Sequence, residues 1–203
     1  MDRTTAEAHA AARPDDIATP RLILRRIGHE AILAALAGDL AQAGHCLGAA
    51  IPDELLVQPE VLRYGLAQLD ADPHYAPWGP RAIMLPGTRT MITRTMIGHL
   101  RFHSRPDPDY LHPYARNAVE LGYVVFEAHR RCGYAAEALG AAMDWAQAAF
   151  AVRHFVASVA PDNEASLRLA RHFGFTKVGT HMDEVDGLEH VLLRTAPERS
   201  LTF

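Results

Sequence analysis

The run from Glu120 to Leu139 constrains this chain more than any other. It reads as an apolar strand, a tight turn, and a helix that opens without a break. A helix leaves its first backbone N–H groups without intrahelical partners, and its dipole places positive charge at the same end. A strand entering such a helix through small residues makes those groups converge, which suits an anion. The spacing Arg130-x-x-Gly133-x-Ala135 fits a diphosphate lying on the turn. Gly133 lets a phosphate approach the backbone, and Ala135 keeps the first helical turn free of bulk. On the turn alone, an ordinary strand-to-helix connection is the commoner reading.

A second segment follows about thirty residues later. An apolar strand, His154 to Ala160, leads into Pro161-Asp-Asn163, then Ser166, and the stretch closes on Gly174-Phe175. Together the two segments resemble the GNAT N-acetyltransferase superfamily. Its coenzyme A turn has the form Arg/Gln-x-x-Gly-x-Gly/Ala, and its next helix begins Asn-x-x-Ala/Ser and ends Gly-Phe. The closer likeness is to the branch of ribosomal-protein N-terminal acetyltransferases. Its signatures are matched by Glu120-Leu-Gly-Tyr123, by Gly133-Tyr-Ala-Ala-Glu-Ala138, and by Thr19-Pro-Arg-Leu-Ile-Leu-Arg25. The resemblance runs from about Thr19 to Arg194.

The resemblance implies a fold and a set of roles. The fold is a mixed α/β (α+β) domain with a largely antiparallel central sheet flanked by helices. Two splayed strands form its acyl-CoA cleft. The coenzyme diphosphate falls to the N–H groups of Arg131, Cys132, Gly133, Tyr134, Ala135 and Ala136, with Arg130 adding charge or only shaping the turn. Pantetheine pairs with the backbone of Val125 as an added strand would. Asn163 would hydrogen-bond the pantetheine chain, although the pattern after Pro161 also makes Asp162 and Asn163 ordinary helix caps. The Tyr123 N–H falls where the family places its donor to the acetyl oxygen. Glu120 falls where this branch takes the amine proton; it can instead anchor the amine or pair with an arginine. Ser166 is the residue for the leaving sulfur, or an ordinary helix serine.

Two departures from the family matter. Many members carry a tyrosine on the last helix to protonate the leaving thiolate, and Ala170 stands there. Arg131-Cys132 replaces the Gly-Lys usual in the branch, which adds charge and removes a flexible residue. A thiol near a helix N-terminus can be acidified, but Cys132 reads as a passive turn residue because the family transfers acetyl directly.

The remaining sequence sets bounds. At 203 residues the chain suits one sizeable domain, here 19–203 behind a mobile Ala-rich tail, 1–18. A formal charge of −4 gives no reason to expect nucleic acid or an anionic membrane as partner. Two cysteines, Cys46 and Cys132, are too few for a disulfide framework, so a reducing cytoplasm fits. No long apolar stretch or signal-peptide pattern occurs. Strands are expected over 22–27, 81–85, 91–103 (with a bulge at Gly98), 119–127, 154–160, 176–185 and 188–194, the last two joined at Asp186-Gly187. Helices are expected over 30–37, 59–69, 133–150 and 163–173, with a looser pattern from Asp39 to Pro80.

Twelve histidines invite a metal reading. His99 and His103 are four apart, but a strand separates them by more than ~12 Å. No cluster has ligand spacing, so no metal is expected. The loops bearing His74-Tyr75-Ala-Pro-Trp78 and His112-Pro-Tyr114 would frame the acceptor side, with Trp78 and Tyr114 walling the opening above Glu120. These features lead to an acetyl-CoA-dependent N-acetyltransferase, monomeric or homodimeric. It would act on a primary amine, either a small molecule or a protein N-terminus. The alternative is a non-catalytic acyl-CoA-binding domain of the same fold.

Overall fold

The computed structural model describes residues 13, 15–87, 94–183 and 187–197. Among them are nine β-strands and five α-helices, in two compact units. One unit holds the described residues through Arg101 together with Tyr123–Ala142. The other holds Phe102–Gly122 and the residues from Met143 onward.

In the first unit, β1 (Ile17–Ala18), β2 (Ile23–Arg26), β4 (Arg81–Leu85) and β5 (Arg94–Phe102) pair antiparallel in that order. The short β3 (Ala49–Ala50) adds to β5 in parallel. Helices α1 (His29–Leu36), α2 (Leu40–Leu47) and α3 (Glu60–Ala71) lie in the same unit. Their apolar residues Ile32, Ala35, Leu47 and Leu62 share one core with Ile23, Met84, Met96 and Phe126. Burial of these side chains, worth about 1.5–3 kcal/mol for each large one, holds the helices in place.

The helix α2 lies in the stretch whose sequence pattern is loose, and it was not among the expected elements. Gly44 interrupts its apolar run and has weak helix propensity. The helix nonetheless starts at Asp39, whose carboxylate accepts the N–H of Gln42 at 2.9 Å. The chain from Asp15 to Ala18 also departs from expectation, because it is not a tail. Arg25 is buried and needs a counter-charge, which Asp16 supplies at 2.6 Å with both side chains almost fully covered. Asp15 pairs with Arg26 beside it, and Ile17–Ala18 extend the sheet. The rest of the proposed tail, 1–12 and 14, lies outside the described residues.

In the second unit, the first part of β6 (Ala118–Val125) pairs in parallel with β7 (His154–Val159). The strand β9 (Gly187–Thr195) follows antiparallel, then β8 (Thr176–Asp183). Of the expected hairpin turn, residues 184–186 lie outside the described residues. Leu111, Ala118, Val156 and Val191 form this unit's small core, with Tyr114 and Leu193 packed against it. The helix α4 (Tyr134–Phe150) contributes to both units, and α5 (Glu164–His172) belongs to the second.

The bulge expected at Gly98 is present and has a purpose. Ile83 pairs with Gly98 but Met84 pairs with Met96, so Ile97 is the extra residue of β5. Its carbonyl accepts the N–H of Phe126 at 2.9 Å. A Cβ on Gly98 would lie 2.2 Å from the carbonyl oxygen of Val124, far inside contact distance. Gly98→Ala should therefore cost at least ~2 kcal/mol of stability, because backbone and not a side chain must move. Denaturant unfolding with a midpoint equal to the parent's would contradict the close approach.

Candidate active site

The strand β6 ends in a 3-10 turn, Glu127–His129, and the chain reaches α4 through residues 130–133. Arg130 turns back, its Nε donating to the Val125 carbonyl at 3.0 Å. This contact helps to shape the turn. Arg131 and Gly133 both take left-handed backbone, φ 61° and 79°. For Gly133 that costs little; for arginine it is an uncommon conformation. Glu137 is the residue whose N–H closes the first helical turn, onto the Gly133 carbonyl at 3.1 Å. The N–H groups ahead of it head the helix, where intrahelical geometry offers them no acceptor.

Two residues quoted only as part of a motif, Thr19 and Arg21, fix this turn. Glu137 accepts from the Thr19 hydroxyl at 2.5 Å, from the Arg21 backbone at 2.8 Å and from Arg21 Nε at 2.6 Å. Arg21 Nη1 also donates to the Cys132 carbonyl at 3.0 Å, and the guanidinium lies 4.8 Å above the Tyr134 ring. The signal that could have found them was the pairing of Thr19-x-Arg21 with the lone acid of the helix's first turn. Cys132 is exposed, and its thiol donates to the Arg130 carbonyl at 3.4 Å.

Edge direction follows from strand alternation. Phe126 points its N–H at β5, so Val125 and Tyr123 turn theirs to the opposite side of β6. On that side the ladder with β7 holds three residue pairs and ends at Glu120↔Val156.

The second group of polar residues lies in the second unit. Glu120 is buried, and its Oε1 accepts a 2.6 Å hydrogen bond from the Ser158 hydroxyl. Its Oε2 lies 3.6 Å from Nδ1 of His103. The His103 backbone N–H donates to the Glu120 carbonyl at 2.8 Å, which sets the two residues side by side on neighbouring segments. Sequence reasoning considered His103 only as a metal ligand and passed over Ser158. The parallel pairing that carries Ser158 toward Glu120 has no local signature.

Other expected residues have different surroundings. Trp78 is 2% exposed, so it cannot wall an opening. The Pro77-Trp78-Gly79-Pro80 turn docks the indole in the interior, which the sequence could not distinguish from a loop aromatic. Tyr114 is partly buried against its unit's core and lies over Gly179, where a Cβ would come within 2.9 Å of the ring. Asn163 caps α5, its Oδ1 accepting the Ser166 N–H at 3.1 Å. The cap uses the amide oxygen and leaves its NH2 out of the bond. The Ala170 position is buried. His99 is buried too, which lowers its pKa to about 4 and keeps it neutral.

The Glu137 carboxyl titrates below its ordinary value. Partial burial pushes it up, but the hydrogen bonds from Thr19 and Arg21 and the Arg21 charge together outweigh that. A depressed folded pKa stabilises the fold above the unfolded value near 4.5 and loses that contribution as pH falls through the folded pKa. Glu137→Gln should thus lower the melting temperature at pH 7 by a few degrees, from about 1–2 kcal/mol of charge-assisted bonding. The gap between parent and variant should close in acid below the unfolded value. A gap that persists unchanged at pH 3 would contradict this assignment.

Residues 21–176 match the acetyltransferase (GNAT) domain family. A Bacillus subtilis protein called uncharacterized N-acetyltransferase YoaA is 30% identical over 93 residues, 46% of this chain and 49% of that protein. The match thus spans about half the length of that curated relative. The ribosomal-protein-S5-alanine acetyltransferase of Vibrio fischeri superimposes with TM-score 0.58 at 17% identity, covering 89% of this chain and 96% of that one. RimL, a ribosomal L7/L12 alpha-N-protein acetyltransferase solved in complex with coenzyme A, gives 0.56 at 18% identity over 89% and 98%. At these identities the solved structures speak for the fold, and the family match speaks for descent. The chain belongs to the GNAT acetyltransferase family.

Proposed function

We propose that this protein is an acetyl-CoA-dependent N-acetyltransferase acting on a primary amine, with residues 19–203 as its working domain. The observation that carries the reading is the turn before α4. Its Gly133 backbone is left-handed, its helix head is free of bulk through Ala135 and Ala136, and Arg21 holds it in shape. A diphosphate on the N–H groups of 131–136 gains hydrogen bonds, the helix dipole, and the charges of Arg21 and Arg131.

The other roles follow along β6. Val125 turns its N–H to the edge of β6 away from β5, which supports pantetheine running there as an added strand. Its carbonyl is already taken by Arg130, so the N–H is the group on offer. When bound, the coenzyme supplies the acetyl group as a thioester. The Tyr123 N–H, two residues earlier on the same edge, is the donor for the developing oxyanion. Asn163 contributes its free NH2 to the pantetheine chain, and Ser166 is the hydrogen-bonding group for the sulfur. Glu120 supplies the negative charge of the acid–base set. The acceptor is a protein N-terminus or a small amine. Its selection rests on the loop from Ser104 to Arg116 and the segment from Leu40 to Pro80, since loops on a rigid scaffold carry specificity.

Two measurements test these placements. Gly133→Asp puts a negative side chain where the diphosphate sits and should weaken acetyl-CoA binding by at least ~2 kcal/mol. Calorimetry giving parental affinity in a variant with a cooperative melt would rule the turn out. With a panel of amines and release of free thiol as the readout, Tyr114→Ala should reorder the preferred acceptors without changing coenzyme affinity. An identical ranking would remove the loop from acceptor choice.

A further inference from the structure

We propose that His103, and not the Glu120 carboxylate itself, takes the proton from the acceptor amine, with Glu120 acting through the imidazole and Ser158 positioning Glu120. This rests on the acetyltransferase reading above and names the atom that does the proton transfer.

Three observations point to it. One Glu120 oxygen is taken by the Ser158 hydroxyl at 2.6 Å, and the other faces His103 Nδ1 at 3.6 Å. Its side chain is 9% exposed against 28% for the imidazole, so an incoming amine meets the ring first. The ring also has a defined direction. With Nδ1 facing Glu120, Nε2 lies beside Gly122, where a Cβ would come within 3.1 Å of it. A glycine at that point lets the imidazole lie against the β6 backbone, one residue before Tyr123.

Chemistry favours the same atom. A proton on Nδ1 directed at a carboxylate leaves the lone pair on Nε2, the arrangement in which a carboxylate orients a histidine base. An imidazole ordinarily titrates near ~6.5, close to the pH at which an amine must be deprotonated. Two protons must leave the nitrogen: before attack the N–H bond of the ammonium breaks, an N–H bond forms on Nε2, and the amine keeps the electron pair it needs to attack. The imidazolium so formed faces the Glu120 charge and passes this first proton to solvent; the second N–H bond breaks after the amide bond forms and the C–S bond breaks, and that proton goes to the departing thiolate. Other charged groups nearby in sequence are Arg101, two residues earlier, and Arg105 in the loop that follows; β7 faces the pair with the uncharged Ser158. The separation of 3.6 Å is long for a hydrogen bond and suits a pair that tightens when an amine binds.

The test uses the full chain. His103→Ala should lower kcat by ~10²-fold or more with little change in acetyl-CoA affinity, and added imidazole should restore part of the rate. Ser158→Ala should give a smaller loss. In wild type, kcat/KM should rise through one ionisation as pH increases; Glu120→Gln should shift it to lower pH by removing the counter-charge, and His103→Gln should abolish it. An NMR titration of the His103 imidazole should show the same downward shift in Glu120→Gln, independent of turnover. His103→Ala with near-parental kcat beside an inactive Glu120→Gln would overturn the inference and leave Glu120 as the direct base. An imidazole titration unmoved by Glu120→Gln would overturn it as well. Wild type that transfers acetyl to no amine would instead sink the acetyltransferase reading itself.

Discussion

The close approach of β5 and β6 at Gly98 is the constraint on which the functional strand depends. With no side chain at Gly98, the Val124 carbonyl comes to where a Cβ could not be tolerated. The bulge at Ile97 then offers its carbonyl to Phe126. That one bond fixes which residues of β6 address β5 and which address the other edge, because strand residues alternate. Tyr123 and Val125 fall on the far edge as a consequence.

The turn itself is held by charge. Glu137 gathers three donors from Thr19 and Arg21, and the same arginine reaches the Cys132 carbonyl and covers Tyr134. Arg21 is half exposed, so the pair adds little stability by Coulomb attraction alone. Its effect is geometric: it ties the segment before β2 to the head of α4 and keeps positive charge beside the N–H groups there. Asp16 and Arg25 fasten the same segment further on, this time out of water. Removing one member of such a buried pair typically costs 3–5 kcal/mol, so the segment ahead of β2 is part of the fold.

Glu120 shows how a buried carboxyl group finds partners. Ser158 satisfies one oxygen of Glu120 and His103 lies against the other. Burial without those partners would be costly for a charge. With them, the carboxyl group sits against a more exposed imidazole.

Periodicity and turn chemistry made most elements legible from the sequence: β4 was bounded correctly at Arg81–Leu85, and α4 and α5 began within a residue of expectation. These signals are local, since side chains three or four apart on a helix, or two apart on a strand, report their own geometry. The strand-to-helix turn at 130–133 was legible for the same reason. Three things were not. Trp78 reads as a surface loop aromatic until the turn around it is seen to bury it. The helix α2 is masked by Gly44. His103 and Ser158 meet Glu120 only because β5 and β7 flank β6, and no spacing along a chain encodes which strands become neighbours. The sequence by itself determined most of the elements and the glycine-bearing turn before α4; the tertiary structure decided the company Glu120 keeps, because contacts between distant segments are set by packing and pairing.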